Sequence, residues 1–203
     1  MKKLVLVAVL TTSFAAAAQS PAPDKTTPAA APAPAKDKAA PAAPATAPAA
    51  PLVMTAEGKK FIESSLGNWT MKDATLSMGS QQMKGKFSME CEKAAGGWAA
   101  LCKGKQDFGK DMKAEGVYLM AWDVVAGEGH MFEVESMGNV HNHVGKWVDD
   151  KSITLVHVGK NAQGVEETDT VTLTWVSPKE IVFKANGKSG ATVNWTFVGT
   201  MKK

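Results

Sequence analysis

The chain has 203 residues and a formal net charge of +3, room for one ordinary domain with appendages. All its strong cations are lysines, and residues 52–203 hold 18 Lys against 18 Asp or Glu. A neutral, arginine-free segment argues against nucleic-acid binding, which calls for a basic face and usually for Arg.

Residues 1–18 read as a secretory signal: Lys2 and Lys3, the apolar run Leu4–Leu10, then Ala16-Ala17-Ala18 before Gln19, in keeping with the small-residue cleavage rule. The apolar stretch is only about 15 residues, where a membrane span needs about 20, and no cysteine follows it to carry a lipid. The expected destination is the periplasm or the outside, with no membrane span after cleavage. Residues 19–51 read as a disordered linker: 23 of the 31 residues from 21 to 51 are Ala or Pro, a composition with too little apolar surface to offset ordering entropy. Extended, it would reach on the order of 95 Å.

The third segment, 52–203, holds the core. A short helix is expected first, with Thr55 as its cap, Phe61, Ile62 and Leu66 as its apolar stripe and Gly67 near its end. Ten strands follow, at 69–77, 82–93, 98–106, 112–123, 130–137, 140–148, 152–159, 166–176, 180–186 and 191–201, separated by turn signals such as Gly96-Gly97, Gly138-Asn139 and Ser177-Pro178. Val171, Leu173 and Trp175 alternate with threonines, and Val193, Trp195 and Phe197 with polar residues. One apolar face per strand and short turns predict an all-β antiparallel meander of about ten strands, most simply closed into a barrel. Cys91 and Cys102 flank the Gly96-Gly97 turn, and in an exported protein they are expected to form a disulfide across a four-residue loop, 95–98.

All four histidines lie between 130 and 157. A two-residue Gly138-Asn139 turn would pair Met137 with Val140, Ser136 with His141, Val134 with His143, Phe132 with Gly145 and His130 with Trp147. Partners share a face, so His130, His141 and His143 would point inward with Phe132, Val134 and Trp147, leaving Glu133 and Glu135 to solvent. A three-residue loop over 149–151 would then set Trp147 against Ile153 and His143 against His157. His141, His143 and His157 would converge as a zinc-type or haem-type ligand set; a two-residue loop would turn His157 away.

Leu66-Gly67-Asn68-Trp69, leading from a helix into the first strand, resembles the G-x-W entry of calycin barrels, the lipocalins and their relatives. The order of further motifs, Trp122-Asp123, Ser136-Met137-Gly138-Asn139-Val140-His141 and Gly145-Lys146-Trp147, resembles that of small secreted bacterial domains with no assigned activity. The resemblance implies a lipocalin-like barrel able to hold an internal cavity. The chain lacks the late-strand Arg that stacks on the first Trp in lipocalins, and the Arg pair with which fatty-acid-binding barrels clamp a carboxylate. No G-x-S-x-G, H-E-x-x-H or CxxC motif is present, so a binder is expected rather than an enzyme, with a small apolar ligand as its partner. Trp122, Phe132, Val134, Trp147, Ile153 and Leu155 are the expected lining, with Tyr118, His141 and His143 as polar handles. No cofactor is the first expectation. The alternatives are zinc or haem on His141, His143 and His157, and a filled barrel that serves as an interaction module.

Overall fold

The computed structural model describes residues 51–110, 112–161 and 164–203; the expected signal and all of the linker but Pro51 lie outside them. One helix, α1 (Ala56–Ser65), precedes ten strands: β1 (Gly67–Met78), β2 (Gln81–Ala94), β3 (Ala99–Asp107), β4 (Lys113–Asp123), β5 (Glu128–Glu135), β6 (Val140–Trp147), β7 (Ser152–Lys160), β8 (Glu166–Ser177), β9 (Glu180–Ser189) and β10 (Thr192–Lys202). Each strand pairs antiparallel with the next, and β10 returns to β1, closing the barrel. Closure leaves no free sheet edge.

Helix α1 starts where Thr55 Oγ1 accepts from Gly58 N at 3.1 Å, a side-chain cap for an amide with no partner inside the helix. Its apolar stripe, Phe61 and Ile62, is fully buried. The helix covers one end of the barrel. Three indole N–H groups reach up to it: Trp69 Nε1 donates to Ser65 O at 2.8 Å, Trp175 Nε1 to Ser64 O at 3.3 Å and Trp147 Nε1 to Glu57 O at 3.3 Å. Two of these carbonyls belong to the last helical turn, whose oxygens have no partner within the helix. Trp122 packs on Phe61, ring centroids 6.1 Å apart. Lys203 Nζ lies 4.5 Å from the centre of the Trp69 ring, a cation–π contact made by a lysine in this arginine-free chain.

Cys91 and Cys102 are register partners and form a disulfide across the 95–98 loop. The 149–151 loop has three residues, its register setting Trp147 against Ile153 and Val144 against Val156. Asp149 Oδ1 holds this turn by accepting from Lys151 N and Ser152 N at 2.6 and 2.7 Å.

The β5–β6 turn corrects the expected two-residue loop. Glu135 N donates to Asn139 O and Gly138 N to Glu135 O, so 136–138 form a three-residue loop with Gly138 at φ +90°. This is a tight turn completed by a left-handed glycine, a position that favours a residue without Cβ. Val134 therefore pairs with Val140, Glu133 with His141 and Met131 with His143. The offset from the expected register is odd, so the face of β5 that accompanies His141 and His143 is the opposite one. Met131, Glu133 and Glu135 point inward. His130, Phe132 and Val134 point outward, Phe132 and Val134 being 43% and 42% exposed, and His130 Nδ1 lies 3.4 Å from Asn142 Oδ1. A second correction concerns Val193: a bulge between Val193 and Trp195 leaves Val193 exposed while Trp195 and Phe197 stay with the interior.

Candidate functional site

The end of the barrel away from α1 contains a cavity of about 320 Å³. Its apolar side is built from β1, β2, β4, β9 and β10, with Met78, Met89, Met120, Phe87, Phe183 and Phe197 among its lining. Phe87, Phe108 and Phe183 each meet Phe197, with ring centroids 5.3–6.1 Å apart. Trp195 joins this side because Gly187 makes room for it: a Cβ on Gly187 would stand 2.1 Å from Trp195 Nε1.

The opposite wall is polar and comes from β3 to β8. Glu133, Glu135, Glu167 and Asp169 face inward together with Tyr118, Gln106, His141 and His143. Glu135 Oε1 accepts from Gln106 Nε2 at 2.7 Å and from Tyr118 Oη at 3.1 Å. Burial raises the Tyr118 phenol far above its ordinary value, and the nearby Glu135 and Glu133 charges add to this, so Tyr118 acts as a donor. Glu167 accepts from Asn194 Nδ2, which the β10 bulge turns inward.

At the centre of this wall His141 Nδ1 lies 3.0 Å from Glu133 Oε1 and 3.3 Å from Asp169 Oδ2. The hydrogen bond to Glu133 raises the His141 pKa above the ordinary imidazole value. Burial opposes the rise, and the charges of Glu133 and Asp169 support it. Burial pushes Asp169 up to about 6, against the pull of His141. His143 behaves oppositely: burial takes it down to about 4, helped by His141 and His157, which leaves a neutral imidazole at pH 7. His143 is 2% exposed, and its Nδ1 has no hydrogen-bond partner; Asp169 is 3% exposed, and its Oδ1 has none either.

His157, two strand positions from Gly159, leans over that glycine. A Cβ there would stand 2.4 Å from His157 Nε2. Its ring stacks on His141 at 4.5 Å between centroids and lies 5.7 Å from His143. The three histidine rings therefore form one cluster. The donor set compact enough to share an ion is a different one: Glu133, His141 and His143 each offer a ligand atom within 4.8 Å of the others.

Of the nine residues expected to hold a ligand, Tyr118, His141 and His143 line the cavity. Phe132 and Val134 sit on the outer face for the register reason given above. Trp122, Trp147, Ile153 and Leu155 lie outside the cavity lining: Trp122 and Trp147 pack with the helix-capped end, and Ile153 and Leu155 are fully buried in the core. The sequence pattern sets Glu133 and Glu135 toward solvent, whereas both line the cavity together with Asp169. A signal for Asp169 was present, since it has the same strand parity as Val171, Leu173 and Trp175 and so is an acid on the apolar face of β8. No helix among the described residues is long and apolar enough to cross a membrane.

No protein-family model matches this chain, and no match is found among curated proteins.

Proposed function

We propose that the protein is an exported, non-enzymatic binder of a small, largely apolar molecule held in the barrel cavity, with the ligand's polar end against Tyr118, His141 and the acidic wall. The observation that carries this reading is the cavity itself. Its volume falls at the small end of the range for ligand pockets, and it combines apolar lining with a few convergent polar groups, the usual composition of such sites. Four carboxyl-bearing side chains face it against Lys160 and the histidines, so the wall favours a hydrogen-bond-donating or cationic end over a carboxylate. The signal-like residues 1–18 and the Cys91–Cys102 disulfide both favour an oxidising compartment. The order of motifs from Gly67-Asn68-Trp69 onward supports a place beside calycin-type binding barrels.

The test is titration of the chelator-treated protein with the neutral apolar dye Nile red. Saturable one-to-one binding is expected, and Ala114→Leu and Ala185→Leu, which fill the cavity from two sides, should each weaken it about tenfold while the thermal transition remains cooperative. Absence of saturable binding, or equal binding by both filled variants, refutes the proposal.

A further inference from the structure

A barrel interior tolerates polar groups when they are paired, and leaving a buried donor or acceptor unpaired carries a desolvation cost. Most of the polar wall obeys this rule: Glu135 is satisfied by Tyr118 and Gln106, and Glu167 by Asn194. Two groups at its centre do not. His143 Nδ1 and Asp169 Oδ1 are buried without a partner, and both residues adjoin His141. His143 is one of the three residues, with Glu133 and His141, whose ligand atoms lie within 4.8 Å of one another, and Asp169 touches that group through His141.

We propose that this wall is a binding site for one divalent transition-metal ion of the zinc class, with Glu133, His141 and His143 as its ligands and Asp169 as the outer carboxylate that orients His141. The sequence places the donors without strain. His141 and His143 are two residues apart on β6 and so share a face, while Glu133 is the register partner of His141 on β5. Two imidazoles and one carboxylate are a donor set that suits zinc, and three protein ligands leave the fourth tetrahedral position to water or to the occupant of the cavity. Donor atoms around tetrahedral zinc stand roughly 3.3 Å apart, given bonds of about 2.0–2.1 Å, so side-chain rotations of about 1 Å close the site. Asp169 Oδ2 lies 3.3 Å from His141 Nδ1, so it can take the Nδ1–H as the carboxylate partner usual for metal-bound histidines, which assigns Nε2 of His141 to the ion and requires Glu133, now 3.0 Å from the same Nδ1, to turn from that nitrogen to the ion. The ion site shares Glu133, His141 and His143 with the cavity lining of the apolar-ligand reading, but that reading is tested with chelator present, so either can fail alone.

The test is titration of the metal-free protein with Co²⁺ and Zn²⁺, read by the cobalt ligand-field absorption, by calorimetry and by the shift in melting temperature. One equivalent is expected to bind with a four-coordinate cobalt spectrum and to raise the melting temperature. Glu133→Gln and His143→Gln should each weaken binding by at least about tenfold, Asp169→Asn by about tenfold, and the outward-facing His130→Gln by less than about twofold. If His143→Gln fails to fold, Glu133→Gln alone carries the comparison, since its side chain keeps the same shape. No stoichiometric binding, full affinity in both Glu133→Gln and His143→Gln, or loss of binding in His130→Gln would overturn the proposal.

Discussion

Two walls of one barrel follow opposite rules. On β8, Val171, Leu173 and Trp175 point inward and are buried, while Thr172 and Thr174 face outward and hydrogen-bond across to Thr154 and Ser152 on β7, each at 3.1 Å. On β5 and β6 the pattern is inverted: Glu133, Glu135, His141 and His143 face the interior, and Phe132, Val134 and Val140 are exposed. Burial alone would choose the other face of β5, because fully burying a Phe or Val side chain gains roughly 1.5–3 kcal/mol. The register that forgoes this gain is held by the 136–138 turn and by the Glu133–His141 pairing. The β8 wall therefore follows the usual rule of apolar burial, whereas the β5–β6 wall forgoes it and turns carboxylates and imidazoles to the cavity. The boundary crosses β8 itself, since Asp169 lies at its open-end portion and belongs with the histidines.

The sharpest way to break this comparison is to truncate the β8 wall. Leu173→Ala should lower unfolding stability by about 2–5 kcal/mol, the usual cost of a Leu-sized void in a packed core, read as a lower urea midpoint at unchanged slope. The corresponding change on the other wall should run in the opposite direction. His143→Leu replaces a buried imidazole that has an unpaired nitrogen, and is expected to raise stability by about 1–2 kcal/mol while abolishing metal binding. A loss of stability there would mean that the β5–β6 wall is structural after all.

Much of this architecture is legible in the sequence because it is local. Glycine turns and a period of two mark the ten strands and the 95–98 loop that brings Cys91 opposite Cys102. The helix start is marked by Thr55, and Asp149 marks the turn that sets Trp147 against Ile153. The candidate site is less legible because parity says which residues share a face, not which face turns inward. Gly138-Asn139 reads as a two-residue turn, yet Gly138 serves as the left-handed residue closing a three-residue one. With the apolar Phe132 and Val134 on one parity and two glutamates on the other, the pattern itself points the wrong way. Only the long-range pairings of Glu133 with His141 and of His141 with Asp169 resolve it.

Smaller effects sharpen the comparison further. Phe132→Ser and Val134→Ser, placed on the outer face, should each change stability by no more than about 0.5 kcal/mol, measured by thermal denaturation. A cost of core size would restore the register first expected. The smallest effect concerns the turn that aligns β6 with β7. The amide of Lys151, with help from that of Ser152, holds the Asp149 carboxyl below its ordinary value, a pull that burial only partly opposes. Its folded pKa is thus below its unfolded one. The stabilisation is fully present above the ordinary aspartate value of about 3.9 and disappears as pH falls through the folded value. Asp149→Asn should therefore flatten the acid limb of the urea midpoint plotted against pH, with little change near neutrality.

The position of Trp195 has a photophysical consequence. The chain carries six tryptophans. Trp69, Trp122, Trp147 and Trp175 gather around the capping helix, and Trp98 sits in the 95–98 turn. Trp195 alone lines the cavity, its indole resting on Gly187 with Nε1 3.4 Å from Glu167 Oε1. Any occupant displaces the medium around this one emitter and leaves the other five unaltered. The unlabelled protein thus carries its own occupancy gauge, in which filling the barrel alters one component of the fluorescence decay while the emission from the capped end stays constant as an internal reference.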